Sequence, residues 1–224
     1  MQNILSSRAV AFVAIFFSVL LLSSVARAEL KATYHLHQTK QILDLYYLDD
    51  NHLRANYADK QQLVLKGSES WLLHQQNGQW LAVDANQAGA LLKAARGDEI
   101  KKSIGPVQLR DTGRKEIVAG YSGQVFELSV GDNKSEIVLT DNPDVLALTN
   151  GWRTLALKLS SSLGAEQAAQ LQQALAKIPQ KGMGGLLRQG SDLTLVSVEK
   201  RAGAQGVDFP ANTQVLPKLQ IPGF

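Results

Sequence analysis

The sequence predicts an α+β domain built on a mainly antiparallel sheet, with two or three helices covering one face of the sheet. Three observations support this fold class. Hairpin signals recur along the chain, several segments alternate apolar and polar residues with a period of two, and helical periodicity is confined to a few segments between the hairpins. Hairpins join antiparallel strands, and helices that lie between them pack on the sheet as a second layer.

The first 28 residues are expected to be a secretory signal peptide. A short polar start with Arg8 precedes the apolar run Ala9–Leu22, and Ala26 and Ala28 are small residues at the two positions that signal peptidase reads. As a helix, the fourteen residues of the apolar run would span about 21 Å, less than the ~30 Å that a membrane anchor must cross. We therefore expect cleavage after Ala28 and a periplasmic protein with no stable membrane anchor.

Composition narrows the classes of partner. The chain has no cysteine, so neither a lipid-bearing cysteine nor a disulfide is expected. Removing Arg8 and Arg27 from the 23 basic residues leaves 21 against 20 acidic residues in the mature chain. The remaining basic residues form isolated pairs rather than a continuous patch, and we therefore expect no nucleic-acid partner.

The first half of the mature chain consists of predicted strands. Alternation over 32–37 predicts the first, and the Asn77-Gly78 pair predicts a tight hairpin because both residues tolerate the positive φ of that turn. An Ala- and Leu-rich segment, Asn86–Arg96, ends at Gly97 and predicts a short helix. The further strands expected before it cover residues 41–48, 52–57, 62–66, 70–74 and 79–83.

The second half is expected to be mixed. Strands over 123–130 and 135–140 form a second hairpin around Asp132-Asn133, and further strands are expected at 107–110 and 193–198. Two stretches, 144–159 and 165–178, carry apolar residues at spacings of three and four and predict helices. We expect one curved-sheet domain over 29–210 and an extended tail over 211–224.

The order of these pieces resembles an exported bacterial family of unknown function, whose relatives resemble the outer-membrane lipoprotein carrier (LolA-like) superfamily. That resemblance implies a strongly curved sheet, an incomplete barrel whose open side is covered by the helices, with a cavity for acyl chains. The chain has Tyr121-Ser122-Gly123 where the family often has a cysteine. The motifs that carry the resemblance are Tyr46-Tyr47-Leu48 with Arg54, Trp71-Leu72-Leu73, Trp80–Val83, Ile117–Tyr121, Val125–Leu128, Glu136–Leu139, Ser197-Val198-Glu199 and Phe209-Pro210.

Catalytic and metal chemistry find little support in the residue pattern. His35 and His37 share a strand face and could hold a metal with a third ligand, but a solvent-facing pair is the preferred interpretation. The Gly182–Gly185 stretch lacks the strand–helix context of a phosphate loop, and no Gly-x-Ser-x-Gly motif is present. We expect no enzyme activity, no metal and no cofactor, and a hydrolase with an unrecognised site is the least favoured class.

The favoured hypothesis is a soluble binding protein that shelters a lipid or a lipoprotein segment in an apolar cavity. The alternative is an envelope protein-interaction or regulatory domain whose concave face is filled by its own side chains. Core packing is the simpler role for the three tryptophans, and lining the cavity is the functional one. The cavity candidates are Trp71, Trp80, Val145, Leu148, Trp152 and Leu155.

Overall fold

The computed structural model describes residues 28–58, 60–89, 105–160 and 165–217. The expected signal peptide lies outside these ranges except for Ala28. Residues 85–89 are helical, as expected for the start of the helix predicted at Asn86–Arg96, and the rest of that segment also lies outside the described residues.

The described residues form one sheet of twelve strands, in the order β12-β6-β5-β4-β3-β2-β1-β11-β10-β9-β8-β7. Every neighbouring pair is antiparallel except β12, which runs parallel to β6. The sheet is open, because β12 and β7 stand at its two ends. The strands are β1 Glu29–Leu36, β2 Gln41–Asp49, β3 His52–Ala58, β4 Gln61–Lys66, β5 Glu69–Gln76, β6 Gln79–Asp84, β7 Val107–Val118, β8 Tyr121–Val130, β9 Asn133–Thr140, β10 Gly185–Gln189, β11 Leu193–Arg201 and β12 Thr213–Val215.

Two helices pack on this sheet: α1, Pro143–Ser160, and α2, Ala165–Lys177. Together with the helical residues 85–89 and the sheet, these helices confirm the α+β class. The strand pairings confirm that the sheet is mainly antiparallel. The chain adds two strands that the sequence pattern did not predict, β10 and β12, and it extends β7 well beyond the expected 107–110. β12 lies within the segment that was expected to be an extended tail.

Local sequence explains the tightest hairpin. Asn77 and Gly78 have φ values of 52° and 80°, and Gln76 pairs with Gln79 across the turn. Two consecutive positive φ values match the right-handed twist of the flanking strands, which is why Asn-Gly favours this turn. The predicted β5–β6 hairpin is therefore confirmed, and its register places Trp71 and Trp80 on one face of the sheet.

Helix α1 begins where an asparagine caps its first turn. The side-chain Oδ1 of Asn142 accepts hydrogen bonds from the backbone N–H groups of Asp144 and Val145, at 3.1 and 3.2 Å. These bonds satisfy backbone donors that a helix start leaves unpaired, and Pro143 has no such donor to satisfy. One face of α1 then buries Val145, Leu148 and Leu155 against the sheet.

The sheet bends sharply at its β7 end. Four strand spacings separate β7 from β11 in the sheet order, which would amount to about 19 Å in a flat sheet. The two strands nevertheless contact each other. In the same region the Arg188 guanidinium on β10 makes a bidentate ion pair with Glu116 on β7, at 2.8 and 2.7 Å. These contacts across intervening strands require curvature, as an incomplete barrel would have.

The two faces of strands β1–β6 are covered by different parts of the chain. The inner face carries Tyr34, Leu45 and Leu53 and packs against α1. The outer face carries Trp71 and Leu73. Residues 204–216, here called the C-terminal strap, cross part of this face and then join the sheet edge as β12. Part of each face is therefore covered, by the helix on the inner side and by the strap on the outer side, while Ile42 on the outer face is 50% exposed.

Gly151 marks a close approach between α1 and the inner face. A Cβ added there would lie 2.5 Å from Cδ2 of Tyr47 and 2.9 Å from Cδ1 of Leu53. Gly151→Ala would stabilise a free helix by about 1 kcal/mol. Here we expect it to lower the free energy of unfolding by about 1 kcal/mol, because the added methyl group overpacks the interface.

Chemical denaturation of Gly151→Ala, Tyr47→Ala and the double variant, compared in a double-mutant cycle, measures this effect. In a Tyr47→Ala background the ring is gone but the Leu53 methyl group remains close, so the cost of Gly151→Ala should become smaller. Stabilisation by Gly151→Ala in the wild-type background would show that the helix does not lie this close to β2.

Candidate functional site

A cleft of ≈ 320 Å³ lies between α1 and the inner face of the sheet. Its walls come from β1 and β2 on one side, β10 and β11 on the other, and one face of α1. This volume is at the small end of the range for ligand sites, about 300–1,000 Å³, and suits one narrow chain. The lining side chains are mostly apolar: Tyr34, Leu36, Leu43, Leu45, Leu148, Thr149, Trp152, Leu186, Gln189, Asp192 and Leu193.

Three hydrogen bonds fix the floor of the cleft. The buried Tyr34 hydroxyl donates to the carbonyl oxygen of Leu186 at 3.0 Å, which ties β1 to β10. The Thr149 hydroxyl accepts from the N–H of Leu186 at 2.8 Å and donates to the carbonyl of Val145 at 2.9 Å. Both polar groups of the Leu186 backbone are therefore satisfied by side chains, and the wall stays apolar towards the cleft. Burial raises the pKa of Tyr34, so its hydroxyl stays neutral.

Trp152 forms the outer margin of the cleft. It projects from α1 one turn after Leu148, and 38% of its surface is exposed although it is one of the largest apolar side chains in the chain. Leu148, by contrast, is fully buried. A large, partly exposed ring beside an apolar cleft can cover a ligand that enters between the helix and the sheet.

The polar residues of the cleft are grouped at one end, in the turn between β10 and β11. Gln189 and Asp192 both line the cleft and are exposed. The turn is held by the Asp192 N–H, which donates to the Gln189 carbonyl at 3.0 Å, and by the His37 N–H, which donates to the Asp192 carbonyl at 2.9 Å. The cleft therefore has an apolar body and one polar end, which matches the shape of an amphiphile.

The structure brings together only some of the cavity candidates. Leu148 and Trp152 line the cleft. Val145 and Leu155 lie on the same helix but are buried in the main core and do not line the cleft.

Trp71 and Trp80 lie on the outer face, away from the cleft. Trp71 is buried and meets the ring of Phe209 edge-on, with 5.9 Å between ring centroids. Trp80 packs against the same small cluster beneath the C-terminal strap. These two rings bury the strap side of the sheet instead of lining the apolar cleft.

Sequence reasoning missed most of the wall residues. Leu36, Leu43 and Leu193 belong to strands that were expected, and their alternation identifies one apolar face. Nothing local shows that this face opens onto a cleft, because the opposite wall comes from β10, which was not predicted. The alternation within β1 and β2 was the available signal.

The outer face carries a cationic cluster around the buried Tyr46 ring. The Arg54 guanidinium lies 4.8 Å from the ring centroid, and Lys31 and Arg201 lie 5.6 and 5.7 Å from it. Burial lowers the pKa of Arg54, which donates to the Asp208 carbonyl of the strap at 2.9 Å. The strap contacts this cluster through Asp208. We therefore infer that the cluster holds the strap against the sheet.

His35 and His37 pack against each other, with ring centroids 4.4 Å apart. His37 Nε2 lies 3.1 Å from the Thr194 hydroxyl oxygen. Within the described ranges no group of three or more His, Cys, Asp or Glu residues is placed to hold a metal ion.

Among the residues that the structure describes, no helix is long and apolar enough to span a membrane. No protein-family model matches the chain, and a search of curated protein sequences finds no significant match. Function is therefore inferred from the geometry of the cleft.

Proposed function

We propose that this protein is a periplasmic binding protein that shelters the apolar chain of a lipid or lipoprotein segment in the cleft between α1 and the sheet. The open cleft, bounded by Leu148 and Trp152 on the helix and by leucines of four strands, is the observation that supports this. A fold filled by its own side chains would not need an exposed tryptophan beside an apolar cavity. The expected export signal and the LolA-like sequence pattern point to the same role.

The driving force for binding would be the removal of apolar surface from water, about 25 cal/mol for each Å² buried. The polar groups in the floor of the cleft are already paired within the protein, through Tyr34, Thr149 and Leu186. They do not need a partner from the ligand, so an alkyl chain can enter without leaving buried donors unsatisfied. The cleft is therefore a preformed site for an apolar chain, because the polar groups of its floor are already hydrogen-bonded within the protein.

A matched pair of variants on β11 tests this proposal. Leu193 lines the cleft, whereas Val196 lies on the same strand, is 53% exposed and does not line it. Leu193→Glu places a carboxylate in the apolar cleft, where an alkyl chain would have to desolvate it. We expect it to weaken binding of the uncharged fluorescent probe N-phenylnaphthylamine more than tenfold, and Val196→Glu to leave binding within about twofold.

Fluorescence titration of both variants, with circular dichroism to confirm folding, supplies the measurement. Equal loss of binding in both variants, or no saturable binding by the wild-type protein, would contradict the proposal. In the latter case a domain that binds another envelope protein becomes the better interpretation, and crosslinking in the periplasm would be the next experiment.

A further inference from the structure

The polar end of the cleft carries a negative charge and no positive one. Asp192 is a lining residue, and none of the residues that line the cleft is lysine or arginine. Arg188 is near in sequence, but its guanidinium is engaged by Glu116 and Glu136, at 2.7 and 3.4 Å. A ligand head that reaches this end therefore meets a carboxylate that no neighbouring lining residue neutralises.

The Asp192 side chain is held in place by its surroundings. Gln38 Nε2 donates to Oδ1 of Asp192 at 2.8 Å, while the backbone N–H and carbonyl of Asp192 bond to Gln189 and His37. No described residue donates to Oδ2 at normal hydrogen-bond distance, so this oxygen can still accept a hydrogen bond. A fixed acceptor beside an apolar cleft selects for a head that donates.

We infer that the cleft, if it binds amphiphiles as proposed above, selects those whose head is a cationic, hydrogen-bond-donating ammonium and disfavours free carboxylates. An ammonium would pair with Oδ2 of Asp192 while its alkyl chain lies between Trp152 and the leucines of β1 and β2. A fatty acid would place its carboxylate against Asp192 and be repelled. The ammonium can belong to a simple amine or to a phospholipid head, and both present the same chemistry to Asp192.

The size of the preference follows from the exposure of Asp192. Opposite unit charges at contact distance in water attract by about 1 kcal/mol, or about fivefold in affinity. Salt screens such an exposed pair, since the Debye length falls from about 30 Å at 0.01 M to about 3 Å at 1 M ionic strength. The contribution of the alkyl chain does not weaken in this way, because salt does not screen apolar burial.

Displacement of N-phenylnaphthylamine by three probes with the same alkyl chain tests the inference: dodecylamine, monododecanoylglycerol and dodecanoic acid. In low salt we expect dodecylamine to bind about fivefold more tightly than the neutral glyceride, and dodecanoic acid to bind more weakly than both. In Asp192→Asn the three affinities should converge. High salt should produce the same convergence in the wild-type protein.

Asp132→Asn is the control, because Asp132 is an exposed aspartate in the β8–β9 turn and does not line the cleft. It should keep the wild-type order of affinities. Preference for lysophosphatidylethanolamine over lysophosphatidylglycerol would assign the ammonium to a phospholipid head, and preference confined to dodecylamine would assign it to a simple amine.

An unchanged order in Asp192→Asn would overturn the inference and leave the binding proposal intact. Failure of the neutral glyceride to displace the probe would instead overturn the proposed function itself.

Discussion

Replacing Leu155 with alanine is expected to lower the free energy of unfolding by about 2–5 kcal/mol, because the change leaves a cavity in a well-packed core. Leu155 is 1% exposed and lies in the main hydrophobic cluster between α1 and the sheet. It does not line the cleft. The loss should therefore appear in urea denaturation, whereas affinity for N-phenylnaphthylamine, measured well below the unfolding transition, should change little.

Two comparisons make this prediction specific. Ile117→Ala removes a similar side chain from a site that is 76% exposed, and we expect a stability change within about 0.5 kcal/mol. Trp152→Ala should have the opposite profile to Leu155→Ala, with weaker probe binding and a smaller loss of stability. If Leu155→Ala abolished binding in the folded protein, the separation between core and cleft on α1 would be wrong.

Gly206→Val is expected to lower the free energy of unfolding by about 3 kcal/mol, at the upper end of the usual cost of overpacking. Gly206 is buried in the C-terminal strap, where an added Cβ would lie 2.3 Å from Oε1 of Glu29 and 2.3 Å from Cδ1 of Tyr46. Neither neighbour can move away easily, because Glu29 and Tyr46 are themselves buried on the outer face. The strap should lift and expose the Trp71–Phe209 contact.

Red-shifted tryptophan emission and faster proteolysis within residues 204–216 would report this lifting, and denaturation would give the stability loss. Gln205→Val is the matched control, since Gln205 lies in the same short 3-10 segment, Gln205–Val207, and is exposed. It should leave emission and proteolysis at wild-type values. A Gly206→Val variant with the same protection as Gln205→Val would show that the strap does not pack on this face.

The parts of the fold that were predicted correctly are those that depend on neighbouring residues. The Asn77-Gly78 turn follows from two adjacent residues that tolerate positive φ, and α1 follows from apolar residues at spacings of three and four. Such features need only a few residues of sequence, because their hydrogen bonds and side-chain contacts are local. For the same reason the β5–β6 register, and with it the shared face of Trp71 and Trp80, could be inferred.

The cleft could not be predicted in the same way, because its walls meet only in the folded chain. Tyr34 and Leu186 are hydrogen-bonded although 152 positions separate them. β10 has five residues and follows a glycine-rich segment, so its sequence gives a weak strand signal. Without β10, one wall of the cleft is missing from any account based on sequence.

The face of the sheet on which Trp71 and Trp80 lie could not be assigned without tertiary information. Alternation puts Trp71 and Trp80 on one face but does not say which face meets α1. The answer depends on Phe209, whose ring packs against Trp71 from the C-terminal strap. That strap lies in a segment rich in proline with no periodic pattern, so its packing could not be anticipated.

Native mass spectrometry of the wild-type protein and Leu193→Glu, both purified from the periplasm without detergent, tests the central claim most directly. If the cleft shelters an apolar chain, part of the wild-type protein should carry an additional mass that dissociates as an amphiphile on activation, and Leu193→Glu should lack it. If neither the wild-type protein nor Leu193→Glu carries a bound mass, or if both carry the same one, the claim that this cleft is the binding site is contradicted.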